Sequence, residues 1–144
     1  FREGRLEALP VADASIDAVT SNCVINLVPD KAVVFREIAR VLRPGGRVVV
    51  ADIVLDGALP PAIAQDVLAW VGCIAGAAPR ADYFAAIAEA GLSDVRLHAD
   101  FDYLAKVPGA IPETLQERME LAGLDPAALR GVVRSITWEA RRAG

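Results

Sequence analysis

Two periods of apolar and polar residues alternate along the chain. Between residues 31 and 42, Val34, Ile38, Val41 and Leu42 recur at i, i+4, i+7 and i+8, which sets them on one face of a helix. Pro29-Asp30 starts this helix and Arg43-Pro44-Gly45-Gly46 stops it. The stretch 47–55 then reads Arg-Val-Val-Val-Ala-Asp-Ile-Val-Leu, a nearly unbroken apolar run that predicts a central parallel strand covered on both faces. A shorter strand is predicted at 16–21. After Leu59-Pro60-Pro61, helical spacing returns with Ile63, Val67, Trp70 and Val71, and a further helix spans 82–90 before Gly91 ends it. In 95–103, Val95, Leu97, Ala99 and Phe101 alternate with Arg96, His98 and Asp100, which predicts a strand with the first set facing inward. A short helix at 112–121, a shorter one capped by Asp125-Pro126 and a strand at 132–139 complete the pattern.

Strands alternating with helices predict an α/β fold, half of a doubly wound sheet, with residues 1–144 forming a single domain. Sheets of this kind bind ligands in the crevice beyond the carboxyl ends of their strands, so the strand exits are the places to look for chemistry.

Composition narrows the picture. Of 144 residues 54% are hydrophobic and 24% charged, enough apolar material for one core. Lys and Arg number 15 against 19 Asp and Glu, a formal charge of −4 that argues against nucleic acid as a partner. No apolar run approaches the roughly 18 residues a membrane span needs. Two distant cysteines make no disulfide framework, and no secretory leader opens the chain, which points to a reducing, cytoplasmic compartment. The single methionine is Met119 and the chain opens Phe1-Arg2-Glu3-Gly4, so it reads as part of a longer protein.

Most familiar catalytic sets are missing. The single histidine, His98, falls on the outward face of its strand as a solvated residue, so neither a Ser/His/Asp triad nor a histidine zinc site can be assembled. Gly45-Gly46 terminates a helix and carries no phosphate-loop pattern. Glu7, Asp17 and Asp52 stand near strand ends, where carboxylates hold the hydroxyl or amino groups of a nucleotide-like ligand, or serve as local caps and turns. Cys23 follows the first strand at its carboxyl end, and Cys73 shares the face of Trp70 on the helix after the second strand. They are either two inert core thiols or two soft ligands facing one crevice, suited to a thiophilic centre. A zinc site would want four ligands at closer spacing, and the chain has no C-x-x-C.

Residues 22–31, Asn-Cys-Val-Ile-Asn-Leu-Val-Pro-Asp-Lys, and 70–77, Trp-Val-Gly-Cys-Ile-Ala-Gly-Ala, resemble the two cysteine segments of S-adenosylmethionine-dependent arsenite methyltransferases. Glu7-Ala8-Leu9-Pro10 with Ile16-Asp17, and the segment 40–46, Arg-Val-Leu-Arg-Pro-Gly-Gly, are similar to class I methyltransferases generally. The resemblance covers the C-terminal half of that family and fades between Asp100 and Arg130. It implies a Rossmann-like sheet lacking its first strands, and arsenic(III) bound as substrate by the thiolates of Cys23 and Cys73. A third sulfur would come from upstream residues or a small thiol such as glutathione. It further implies that Leu6 and Glu7 flank the adenine of S-adenosylmethionine, with Glu7 accepting from its amino group, and that Asn22 lies beneath the sulfonium arm. Partners so implied are arsenite or its thiol conjugates and a small thiol reductant. The first strand would be left with an unpaired edge, so residues 1–144 alone are expected to be inactive and prone to edge-to-edge self-association. Two other readings stay open: a class I methyltransferase of a small organic substrate with structural cysteines, and a non-catalytic methyltransferase-like interaction module.

Overall fold

A computed structural model gives the fold and describes residues 1–65, 74–107, 109 and 113–144. Strands β1 (Ile16–Asn22), β2 (Leu42–Leu55), β3 (Ala78–Pro79), β4 (Leu92–Asp102) and β5 (Val133–Arg142) form one sheet in the order β1-β2-β5-β4, with β3 paired to β2 beyond the end of β1. Strands β1 and β3 run parallel to β2, whereas β5 is antiparallel to both of its neighbours. The helices are α1 (Lys31–Val41), α2 (Pro61–Ala64), α3 (Arg80–Glu89), α4 (Tyr103–Lys106) and α5 (Glu113–Leu121). The result is an open, mixed, doubly wound Rossmann-like sheet.

Helix α1 forms where its sequence predicts. The Asp30 carboxylate accepts from the Val33 N–H at 3.2 Å as an N-cap, and Val34, Phe35, Ile38 and Val41 are buried. Its end falls at Val41, because Leu42 already has extended backbone. The expected stop at residues 43–46 is instead the start of β2, where Gly45 takes a φ of +75° and the pairing with β1 shifts register between Ile16 and Ala18. A side chain on Gly46 would bring its Cβ within 2.8 Å of the Arg43 carbonyl oxygen, so glycine permits this close turn.

Strand β2 is covered on both faces, as its apolar run requires. Val48, Val50 and Val54 pack with Phe35, Tyr83 and Trp138 on one side, and Ile53 and Leu55 pack with Ile63, Met119, Leu129 and Val133 on the other. Phe35 meets Tyr83 and Trp138 edge to face, with ring centroids 5.1 and 6.0 Å away.

Strand β4 departs from expectation. Val95 and Leu97 were expected to face inward but are 42% and 47% exposed. Strand β4 is an edge strand bonded to β5, and register shifts at Ser93/Arg96 and Leu97/Ala99 break its alternation, with Asp94 at a φ of +53°. Only toward its end do Ala99 and Phe101 become half-buried. Strand β1 forms the opposite edge and, among the described residues, pairs with β2 alone, its Ile16 and Val19 half-buried. Beyond Ile63, the predicted helical positions Val67, Trp70 and Val71 lie outside the described residues. At the far end β5 continues past Glu139, and the Arg142 guanidinium donates to the carbonyls of Arg40, at 3.3 Å, and Leu42. Among the described residues no helix is long and apolar enough to cross a membrane.

Candidate functional site

The parallel strands β1 and β2 end side by side. Asn22, the last residue of β1, is exposed and stands in register with Ala51. Cys23 comes next. Its N–H donates to the Ala51 carbonyl at 2.8 Å, its φ is +59°, and its half-buried side chain packs against the cluster that holds Ile53, Ile63 and Ile74. A left-handed residue here turns the chain out of the strand and into a short 3-10 turn, Ile25–Leu27.

The connection from Cys23 to α1 is tied to β2 by polar side chains. Asn26 is fully buried, and its Nδ2 donates to the Ile53 carbonyl at 2.7 Å. Lys31 is 9% exposed and donates from Nζ to the Val28 carbonyl at 3.2 Å. Asp52, expected as a ligand-facing group or a turn residue, is neither. It is 1% exposed, and its carboxylate accepts from the Tyr83 hydroxyl at 3.0 Å and from the Ile53 N–H at 3.1 Å. Trp138 Nε1 donates to the Tyr83 oxygen at 3.4 Å. Burial pushes the Asp52 carboxyl up to about 6, against the opposing pull of the Tyr83 hydroxyl, the Ile53 N–H and the Lys31 charge. Burial also drives the Tyr83 phenol well above its ordinary range, and the Asp52 charge adds to that.

A second feature lies between the N-terminal segment and α1. Leu6 is half-buried and lines a recess of about 150 Å³ with Leu9, Val19, Ser21, Val24 and Val34. The Ser21 hydroxyl is buried there with no hydrogen-bond partner. Arg40 holds the segment in place, donating to the carbonyls of Leu9 at 3.2 Å and Val11 at 3.0 Å and to Glu37 at 2.8 Å. Glu37 in turn accepts from the Leu9 N–H at 2.7 Å. Its carboxyl is held below the ordinary range, first by the bond to Arg40.

The other residues singled out from sequence have structural surroundings. Glu7 pairs with Arg5 at 3.4 Å beside the recess, and Asp17 pairs with Arg43 at 2.6 Å on the surface. His98 is half exposed and stands 3.5 Å from Glu139 on the neighbouring strand, a carboxylate neighbour not foreseen. Cys73 lies outside the described residues. Among the described residues no group of three or more His, Cys, Asp or Glu could hold a metal ion. Lys31, Asn26 and Tyr83 were missed. The available signal was Asp52 itself, because a carboxylate inside an apolar run demands buried partners.

A parallel pair whose carboxyl ends carry the site, followed by an antiparallel last strand inserted next to it, defines the class I methyltransferase architecture, and its cofactor is S-adenosylmethionine. Residues 1–122 match the family model for the methyltransferase domain, and the chain belongs to that family. It is 45% identical over 97 residues to an arsenite methyltransferase of Halobacterium salinarum, covering 67% of this chain and 25% of that protein. To an arsenite methyltransferase of Aquipseudomonas alcaligenes it is 35% identical over 139 residues, covering 88% of this chain and 40% of the other. Among solved structures, an arsenic(III) S-adenosylmethionine methyltransferase from Chlamydomonas reinhardtii superposes with a TM-score of 0.69 at 29% identity, over 98% of this chain and 42% of that one. The YcgJ protein of Bacillus subtilis shares the fold with a TM-score of 0.73 at 17% identity, over 100% of this chain and 71% of that one. The chain therefore spans between a quarter and two fifths of these two curated relatives.

Proposed function

We propose that the chain is the cysteine-bearing C-terminal part of an arsenite methyltransferase, which acts on arsenic(III) held as substrate by the thiolates of Cys23 and Cys73. The observation that carries this reading is the seat of Cys23. It turns out of β1 in a left-handed conformation at the carboxyl ends of two parallel strands, directly after Asn22. The arsenite methyltransferases among the relatives support the substrate assignment.

The residues present fit the cofactor. The recess beside Leu6 has apolar walls for a flat ring and, in Ser21, a buried hydroxyl with bonding capacity left over. Leu6 would wall the adenine, Glu7 would accept from its amino group, and Asn22 would lie beneath the sulfonium arm. Bound S-adenosylmethionine supplies an electrophilic methyl carbon on a sulfonium.

The cysteines do the rest by positioning. Thiolates are soft donors, so they replace oxygen ligands on arsenic and leave its lone pair available as the nucleophile. A free thiol has a pKa near 8.5, and capture of the arsenic itself displaces the proton. The residues hold the nucleophile in line, and no general acid or base is called for. A small thiol supplies the third sulfur and serves as reductant between rounds, in a reducing, cytoplasmic setting.

The test is arsenite binding and methylation by the full-length protein and its Cys23→Ser and Cys73→Ser variants. Loss of both activities in each variant, with the melting temperature retained, is the expected result. Undiminished arsenite methylation by either variant overturns the reading and favours a small organic substrate with structural cysteines.

A further inference from the structure

Two buried side-chain polar atoms among the described residues have no hydrogen-bond partner, Ser21 Oγ and Asn26 Oδ1. They differ in kind. Asn26 is anchored through the other end of its amide, where Nδ2 donates to the Ile53 carbonyl. The Ser21 hydroxyl uses neither its proton nor its lone pairs, and it belongs to the wall of the recess beside Leu6.

Stability does not account for a serine at this point. Ser21 shares the alternate positions of β1 with half-buried Val19 and stands in register with fully buried Val50. A buried hydroxyl without a partner costs desolvation that an aliphatic side chain in its place would avoid. The surroundings leave that hydroxyl to a ligand. Leu6, Leu9, Val19, Val24 and Val34 give the recess apolar walls, and Thr20, which also borders it, is exposed and alternates to the other face of the strand. The backbone groups of the N-terminal segment are used elsewhere: Glu37 takes the Leu9 N–H, and Arg40 takes the Leu9 and Val11 carbonyls. A space of about 150 Å³ is of the size that takes one flat ring. A purely hydrocarbon ring would leave the hydroxyl as it is, whereas a ring with an acceptor nitrogen at its edge would satisfy it.

We propose that Ser21 reads the adenine ring: its hydroxyl donates to a ring nitrogen, so that the recess distinguishes this base from an apolar ring of the same shape. The inference rests on the reading that the nucleoside of S-adenosylmethionine lies beside Leu6. With the amino group assigned to Glu7, a ring nitrogen is the partner left for the Ser21 proton. The experiment is titration calorimetry of the full-length protein, unsubstituted and as Ser21→Ala and Leu6→Asp, with melting temperatures of the ligand-free samples. The ligands are S-adenosylhomocysteine and its three deaza analogues, in which N1, N3 or N7 of the base is replaced by C–H. Ser21→Ala is expected to bind S-adenosylhomocysteine about tenfold more weakly, a ratio equal to about 1.4 kcal/mol. Ligand-free, it is expected to melt no lower than the unsubstituted protein, because the substitution removes an unsatisfied group. One deaza analogue is expected to bind the unsubstituted protein about tenfold more weakly than S-adenosylhomocysteine does, and to bind Ser21→Ala as tightly as S-adenosylhomocysteine does, since the same bond is lost from either side.

Unchanged affinity in Ser21→Ala overturns the inference, and so does a loss of equal size for all four ligands, the mark of a serine that only shapes the wall. Leu6→Asp separates the two levels, since a charge in the apolar wall weakens binding of the nucleoside whether or not Ser21 bonds it. If Leu6→Asp binds S-adenosylhomocysteine undiminished, the nucleoside lies elsewhere and the inference falls with that reading. If Leu6→Asp loses affinity while Ser21→Ala keeps it, the reading stands and the role of Ser21 alone is refuted.

Discussion

The hydroxyl of Tyr83, on α3, donates to Oδ2 of Asp52, on β2, at 3.0 Å, and both residues are 1% exposed. Helix and sheet are thus joined through a carboxylate inside the core, raised from 3.8 to about 6 chiefly by its own desolvation. Between these two values the folded protein holds a proton that the unfolded chain has released. The contribution to stability is complete below about 3.8 and is lost as pH rises through about 6. The shift amounts to about 3 kcal/mol.

Asp52→Asn is therefore expected to gain stability relative to the unsubstituted protein as pH is raised across that window. Urea melts at a series of pH values check it. Glu37 and Asp100, both held below the ordinary range by arginine partners, act in the opposite sense, since their contribution is lost as pH falls. Taking the difference between the two proteins at each pH removes them. A difference that does not vary with pH would rule out a buried, titrating Asp52.

Cys23 has a φ of +59°, a conformation that costs an ordinary residue about 1 kcal/mol and glycine almost nothing. Cys23→Gly is expected to fold and melt close to the unsubstituted protein, whereas Cys23→Val, branched at Cβ, is expected to melt well below it. Calorimetry separates the two. A valine variant as stable as the glycine one would mean that the turn is not left-handed.

Arg40 ties Leu9, Val11 and Glu37 together and so holds the segment that presents Leu6. Arg40→Ala is expected to hasten proteolysis within residues 1–12 and to weaken binding of S-adenosylhomocysteine to the full-length protein. Titration calorimetry gives the second. Unaltered affinity would show that the recess beside Leu6 takes no part in holding the nucleoside.

Arg80, the first residue of α3, bonds Asp56 at 2.6 Å and Asp100 at 2.9 Å, and Arg134 bonds Asp100 at 2.8 Å. The side chains are partly exposed, so Asp100→Asn is expected to cost no more than about 1 kcal/mol, and less at high ionic strength. Denaturant melts at two salt concentrations decide whether the effect is screened.

Much of this architecture could be read from the residues because local signals agreed with the tertiary outcome. Asp30 before a Val34/Ile38/Val41 stripe is both a cap and a core face, and the run into Leu55 could only be a strand covered twice. The alternation of Val95, Leu97 and Ala99 misled because period two says that two faces differ, not that anything covers either of them. What leaves Val95 and Leu97 exposed is the place of β4 at the rim, a consequence of β5 arriving from far along the chain.

Asp52 offered a choice between ligand and turn, and it was settled by Tyr83, whose tyrosine character in sequence says nothing of the carboxylate it meets. The position of Cys23 at a strand exit was legible from spacing, whereas the adenine contact proposed for Leu6 came from resemblance alone. Cys73 lies outside the described residues, and its convergence with Cys23 stands as proposed.

The insertion of β5 between β2 and β4 bears on how the molecule is made. While the ribosome is still adding residues 133–142, two ladders of amide groups, one on each flanking strand, have no partner to bond. Arg142 then closes over the carbonyls of Arg40 and Leu42, so the end of α1 is sealed only when the last residue of β5 has been added. Nascent chains stalled short of that point are the ones at risk of sticking to one another, and the finished sheet is safe on that side.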